Sequence, residues 1–348
     1  MAMSIFATLA AQTPPIRRSP FFDYRMRWKR RRLIWRALRR RHDISRVKVN
    51  EGAIAAAPLL GFSTIRNEIE RLPFFLDHHR TLGVGHFLIV DNDSTDGSAD
   101  YLAAQPDVSL WRAHASYKAA RFGVDWLMCL KFKFGPGKWC LTLDADEALI
   151  LPGGRGLGPL VAHLAATGRS SFGAIMLDAY PKGPINIGNV QPGENPFDHL
   201  CWFDAEGYRV QRHKVFDNLW VQGGVRDRMF FRDEPSRAPT LNKTPLVLWR
   251  RGYTYVTSTH QMLPRHLNHV FDTGAPTGVL LHSKFLPQIA AKSAEELARR
   301  QHFENSTLYE DYHRSLIAGP TLWHPQAQRY EGPTQLERLG LMSAGDWQ

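Results

Sequence analysis

Cysteine is scarce in this chain. Of 348 residues three are cysteines, Cys129, Cys140 and Cys201, and none has a partner at metal-ligand spacing. That excludes a disulfide-stapled scaffold and a cysteine-rich zinc site, and the odd, sparse count fits reduced thiols in a cytoplasmic compartment. Long apolar runs are missing too: none approaches the roughly 18 residues that a membrane span requires. The opening stretch MAMSIFATLAAQTPP has no positive segment ahead of its short apolar run and reads as a poor signal peptide. Internal repeats are absent. Acids nearly vanish from residues 17–48, which hold 14 Lys/Arg against Asp23 and Asp43, a net charge of +12. The remaining 30 basic and 31 acidic residues sum to −1, so the overall +11 belongs to one segment. No second basic patch or nucleic-acid motif follows residue 50, which weighs against nucleic acid as a partner.

Residues 1–57 therefore read as a basic N-terminal arm and linker. Within RMRWKRRRLIWRALRRRHD, Leu33, Ile34, Ala37 and Leu38 can line one helical stripe, and Trp28 and Trp35 stand a heptad apart. A basic helix carrying Trp and Leu can lie on an anionic membrane surface; a solvated tail is the plainer alternative. The body that follows, with 43% hydrophobic residues chain-wide, has ample material for a core.

From residue 58 onward short apolar runs alternate with helical patterns. Strands are expected at 59–65, 86–90, 108–111 and 139–143. Helices are expected after Pro73, at 97–104 and at about 117–133. Gly83 or Gly85 should stop the first, and Ser94, Thr95 or Asp96 should cap the second. Such alternation predicts an α/β fold with a mostly parallel central sheet flanked by helices. Right-handed crossovers bring the strands' C-terminal ends to one rim, where open α/β sheets place ligands. Each of those ends is polar: Arg66, Asn67 and Glu68; Asp91, Asn92, Asp93 and Asp96; Asp144, Asp146 and Glu147. Asp144 and Asp146, one residue apart at a strand's mouth, can hold a divalent cation that also binds a diphosphate. An acidic turn is the bland reading of Asp-Ala-Asp-Glu taken alone.

Together, IRNEIERLPFFLDHHRTLGVGHFLIVDNDSTDGS and the later LTLDADE resemble bacterial family-2-type glycosyltransferases with the GT-A nucleotide-sugar fold. The specific match covers residues 59–150, and LHSKF and the surroundings of STH extend it to about 342. The resemblance implies a GT-A domain over 58–320, with a donor-binding half at 58–150 and an acceptor half at 151–320. A C-terminal extension would occupy 321–348, beyond helices at 288–316. It implies that Arg66, Asn67, Glu68, Asp91, Asn92, Asp93 and Asp96 lie about the nucleotide. Asp144 and Asp146 would hold Mn²⁺ or Mg²⁺ and the diphosphate. His282, ending the apolar run 278–281, would complete the metal's coordination or be a plain core histidine, and Lys284 would sit against the diphosphate. The activity implied is transfer of a sugar from a nucleotide-sugar donor, UDP-linked in the first instance, to a hydroxyl of a glycan or lipid-linked acceptor, with inversion. The enzyme would be cytoplasmic, peripheral at the inner membrane face.

Inversion needs a carboxylate to take the acceptor's proton. Asp227, Asp233 and Glu234 lie where that base is expected, Asp227 first, although it can equally be a structural acid paired with Arg226 or Arg228. Trp202, Phe203, Tyr208, Trp220, Phe230 and Phe231 are sugar-stacking candidates or ordinary core. PGGRGLG at 152–158 fits no phosphate loop and reads as a turn beside the site. His260, His266 and His269 lack the cysteine or carboxylate that would complete a zinc set. A sugar-phosphate nucleotidyltransferase is the alternative enzyme. It would carry a Gly-rich basic loop where this chain has Arg66-Asn67-Glu68. A non-catalytic glycan- or membrane-binding module is the alternative outside enzymes.

Overall fold

A computed structural model describes residues 8, 11–13, 16, 19–272, 274–299 and 307–347. Arg17 and Arg18 of the basic segment lie outside the described residues, as does most of the stretch weighed as a signal peptide.

The basic segment is part of the body. It forms a 20-residue helix, α1 (Pro20–Arg39), capped by Ser19, and then β1 (Ile44–Lys48), which pairs antiparallel with β4 at the sheet's edge. The presumed linker is a short helix, α2 (Glu51–Ala56), capped by Asn50. Then come β2 (Leu59–Ile65), α3 (Leu72–Leu82), β3 (His86–Asp91), α4 (Ser98–Ala104), β4 (Val108–Ala113), α5 (Val124–Phe134) and β5 (Trp139–Thr142). Gly83 ends α3 in the left-handed conformation a glycine C-cap supplies (φ 108°). Helix α5 starts seven residues later than its apolar pattern suggested, because residues 117–123 form tight turns with Arg121 and Phe122 at positive φ.

After the acidic turn, β6 (Glu147–Ile150), α6 (Leu157–Ala166) and β7 (Ser171–Asp178) follow. The chain continues with α7 (Pro196–His199), β8 (Trp202–Phe203), β9 (Arg209–Arg212), β10 (Leu219–Gln222), α8 (Gly224–Phe230) and β11 (Asn242–Leu248). It continues with β12 (Thr254–Thr257), β13 (Gln261–Leu263), β14 (Thr277–His282), α9 (Ile289–Arg299) and α10 (Thr307–Ile317). The C-terminal residues add β15 (Gln328–Arg329), paired with β8, and α11 (Pro333–Arg338).

Nine strands make one sheet in the order β1-β4-β3-β2-β5-β11-β7-β14-β6. Strands β2, β3, β4, β5, β7 and β14 run one way, and β1, β11 and β6 run against them. The sheet is thus mostly parallel, as expected, and it draws strands from both sides of residue 150. Period-two alternation divides the core. Leu59, Ile65, Phe87, Ile89 and Leu141 pack with α3, α4 and α6 on one face. Leu60, Phe62, Leu88, Val90 and Cys140 pack with α1, α2 and α5 on the other. Gly61 cannot carry a side chain here, since a Cβ would stand 2.6 Å from the Phe87 ring. The mouths of β2, β3, β7 and β14 share one rim, and β6 begins there beside His282. Because β6 runs back from that rim, PGGRGLG lies at the opposite edge, where the Gly153 N–H donates to Glu337 of α11 at 2.8 Å. It is a turn, but not one beside the acidic cluster.

Candidate active site

The site is a chain of charge contacts running along the rim. At its centre the His282 ring is held from both sides. Its Nδ1 lies 2.6 Å from Asp178 Oδ1, at the end of β7, and its Nε2 lies 3.0 Å from Asp146 Oδ2. Parallel pairing of β7 with β14 sets Asp178 directly across from His282. Asp178 in turn accepts from Arg226 Nε at 2.7 Å, and both side chains are buried. Asp146 is fixed through its backbone: its carbonyl accepts from the Ser283 N–H at 2.8 Å and from the Ser283 hydroxyl at 3.1 Å. Ser283 also accepts from Arg71, which pairs with Glu68 at 2.7 Å. Glu68 therefore joins the second strand's mouth to the Asp146 turn.

Electrostatics follow from this packing. Burial opposes ionisation of Asp146, but His282, Arg71 and Lys284 outweigh it and hold its carboxyl well below the usual range. Burial likewise opposes Asp178, and Arg226 and His282 hold it down to about 2. Against its own burial, His282 is raised above its ordinary value by Asp146 and Asp178. Lys284 is lowered by burial and by Arg226, with Asp146 and Asp178 opposing.

A second cluster sits beside the first. The buried Lys243 ammonium lies 2.9 Å from Asp144 Oδ2 and bonds Glu147 still more closely. Glu147 also accepts the Asp144 N–H at 3.1 Å, which closes the acidic turn on itself. Burial disfavours the Lys243 charge, but its two carboxylates prevail and keep it protonated. Burial pushes the Glu147 carboxyl up, and Lys243 is the largest influence pulling it down. Lys243 is thus an internal ion-pair partner.

The residues expected about a nucleotide split into two groups. Several shape the turn itself. Asn67 Oδ1 accepts the Thr95 N–H at 2.8 Å, Asn92 Nδ2 donates to the Ala113 carbonyl at 2.7 Å, and Asp96 accepts from Ile69 and Ser98 N–H groups at 3.0 Å. Asp91 accepts weakly from the Ser94 N–H at 3.3 Å, and Asp93 meets His114 at 2.6 Å on the surface. Others bridge to α9: Arg66 reaches Glu295 at 3.2 Å and Lys292 reaches Glu68 at 2.5 Å. The mouths of β2, β3 and the acidic turn do converge.

Asp227 does not join the cluster through its side chain. Its neighbour on α8, Arg226, does so, whereas Asp227 takes both Nη atoms of Arg209 at 2.6 and 2.9 Å. Its partner is therefore neither of the adjacent arginines weighed on the sequence. Asp233 and Glu234 are exposed in the turn after α8, and Glu234 meets Arg237 at 3.5 Å. Phe203 and Phe231 are core residues, whereas Trp202 is partly buried and stands edge-on to Trp323 at 6.0 Å. His260 and His269 take separate partners, the Asn242 carbonyl at 2.7 Å and Asp217 at 3.2 Å. Arg71, Arg226 and Ser283 escaped sequence reasoning. Only the three-residue spacing of Glu68 and Arg71 offered a signal.

Among the described residues no group of three or more His, Cys, Asp or Glu side chains could hold a metal ion by itself. A divalent cation that binds through one or two protein donors and completes its shell with phosphate and water needs fewer. Asp146 Oδ2 and His282 Nε2 suit that role. Donors at about 2.1 Å on adjacent octahedral positions stand about 3.0 Å apart. Both ring nitrogens face carboxylates, so without a cation Nε2–H donates to Asp146; a bound cation would take the place of that proton while Nδ1–H stays on Asp178, the carboxylate–histidine arrangement that orients a metal-binding imidazole.

No protein-family model matches the chain, and no curated protein matches it. Among solved structures, one similar chain is a Bacillus anthracis protein described as a glucose-1-phosphate thymidylyltransferase, in complex with a sucrose. It is 9% identical, with 74% of this chain and 83% of that one covered, at a TM-score of 0.27. Another is a UTP-bound UGPase from Acinetobacter baumannii, 11% identical, with 80% and 97% covered, also at 0.27. Likeness at that level carries no functional argument.

Proposed function

We propose that the chain is a metal-dependent glycosyltransferase, moving a sugar from a nucleotide-sugar donor, UDP-linked in the first instance, to a hydroxyl of a glycan or lipid-linked acceptor with inversion. One observation carries this reading. Asp146 and His282 face each other at the rim of a mostly parallel sheet, with Asp178 and Arg226 locking the imidazole. Mn²⁺ or Mg²⁺ held by Asp146 and His282 would neutralise a departing diphosphate. The chain's own cations support the same charge: Arg71 and Lys284 lie in the field of Asp146. Catalysis rests on positioning and electrostatic preorganisation. Asp144, tied to Lys243, lines the mouth and is the first carboxylate a diphosphate-bound cation would meet beyond Asp146. Asp227, Asp233 and Glu234 are the candidates for the acceptor's base, Asp227 first.

The runner-up, a sugar-phosphate nucleotidyltransferase, needs a loop that wraps a triphosphate after β2. Here that position is a turn spent on Ser94, Ser98 and Asp96 contacts. One assay tests both. Incubation with Mn²⁺ and a panel of nucleotide sugars should release nucleoside diphosphate, and Asp146→Ala should abolish it. Pyrophosphate release from a nucleoside triphosphate plus sugar 1-phosphate, without donor turnover, would establish the alternative instead.

A further inference from the structure

The first helix has two apolar stripes, and the body covers one. Phe22, Met26, Leu33, Ile34 and Ala37 turn inward at helical spacing. Polar contacts pin that side: Arg36 to Asp125 at 2.9 Å, Arg265 to Asp23 at 2.6 Å, and the Cys129 thiol to the Ala37 carbonyl at 2.8 Å. The opposite side carries Phe21, Tyr24, Trp28 and Trp35, exposed by 69, 53, 53 and 64%. Steps of three, four and seven residues place these rings on one face of a helix. Among the described residues their ring contacts are with one another or with arginines of the same helix. Tyr24 stands edge-on to Trp28, Arg31 lies over Trp28, and Arg39 lies over Trp35. Arg25, Arg27, Arg31, Arg32 and Arg39 flank the rings, all exposed. Near the helix's end, Arg32, Trp35, Arg36, Arg39 and Arg40 line a shallow concavity of about 510 Å³.

We propose that this outward face is a docking surface for an anionic lipid bilayer. Charge complementarity selects the partner: five exposed arginines bracket the ring stripe, and no acid of α1 lies among them. A helix of this length runs about 30 Å, and it lies sideways on the body rather than projecting from it. Aromatic rings at headgroup depth with guanidinium groups at phosphate level is the arrangement by which an amphipathic helix holds an anionic interface. A single nucleic-acid strand needs a groove that tracks its backbone, and a convex helix side supplies none. The helix is already ordered against the body, so docking does not have to fold it.

The test is co-sedimentation of the full chain with vesicles of phosphatidylcholine alone and of phosphatidylcholine with 30% phosphatidylglycerol. Binding is expected to the anionic vesicles only and to weaken with added salt. Trp28→Ala with Trp35→Ala should weaken it at least about tenfold. Arg31→Gln with Arg32→Gln should do the same, since each basic residue contributes about fivefold at such a surface. Both pairs face away from the body, and an unchanged circular dichroism melt confirms a folded variant. Equal binding to neutral vesicles, binding untouched by either pair of changes, or binding to a DNA or RNA oligonucleotide with none to vesicles would overturn the proposal.

Discussion

Replacing Lys243 with methionine should destabilise the protein by about 3 kcal/mol at pH 9, and the loss should shrink toward neutral and acid pH. Lys243 is 4% exposed and Glu147 1%, while Asp144 is half exposed. Methionine keeps the stem's volume and removes the charge, so the lone consequence of size is a buried carboxylate facing apolar atoms. Stranding a buried charge costs about 3–5 kcal/mol. Glu147 has an escape, which is to take up a proton. At pH 7 that costs a carboxyl with an ordinary value near 4.5 about 3.4 kcal/mol, at 1.36 per pH unit. The lower figure is the one the protein will meet. The sign follows. In the variant the folded Glu147 binds its proton to higher pH than the unfolded chain does, so stability falls as pH rises through 4.5 and above. Burial holds the wild-type Glu147 carboxyl at about 7 even beside Lys243, so the gap between wild type and Lys243→Met should widen between pH 7 and 9, by up to about 2.7 kcal/mol. Urea denaturation at the two pH values measures it. Adding Glu147→Gln should restore most of the loss, because the two residues form one unit. A cost under about 1 kcal/mol at pH 9, or strict additivity of the two changes, would refute the buried-pair reasoning.

Three further outcomes follow from the same packing. Arg226→Met removes one of the two groups that hold the buried Asp178 carboxylate, leaving His282, and should cost about 3 kcal/mol in urea denaturation. Asp178→Asn keeps the packing and an acceptor oxygen but loses the negative charge that holds Nδ1–H and raises the basicity of Nε2, and should weaken Mn²⁺ affinity about 10–100-fold in calorimetric titration. Lys131 is fully buried 3.5 Å from the Phe62 ring centre with no hydrogen-bond partner, and burial pushes its amine down to about 7. The unfolded chain keeps that proton to about 10.5, so this lysine should add up to about 2.7 kcal/mol of stability between pH 7 and 9, a gain that Lys131→Met lacks in thermal melts.

Much of the frame was legible before any coordinates. Several parallel strands announce themselves because a short apolar run ends on polar residues, as Phe87–Val90 does before Asp91. His282 could be placed at a strand end by the run Gly278–Leu281. The ion pairs were harder to foresee. The apolar run of the Lys243 strand begins only at Leu246, but the strand itself starts at Asn242 and is paired on both sides, which buries the lysine. Arg226 and Asp178 lie 48 residues apart, and only the packing of α8 under β7 joins them. The basic segment misled for a different reason. Its charge pointed to a tail, yet the inward stripe Phe22–Ala37 and the β1–β4 pairing fasten it to the body. Leu38, grouped with that stripe on the sequence, is 40% exposed and sits toward the tryptophans' side.

The most direct measurement is calorimetric titration of the full chain with UDP- and GDP-sugars, with and without Mn²⁺, on wild type and Asp146→Asn. Binding that requires Mn²⁺ and disappears in Asp146→Asn, while the thermal melt of that variant stays within a few degrees of wild type, is the expected result. Donor binding indifferent to both the metal and Asp146, or no binding by a folded wild-type chain to any donor tried, would contradict a metal-dependent nucleotide-sugar site at this rim.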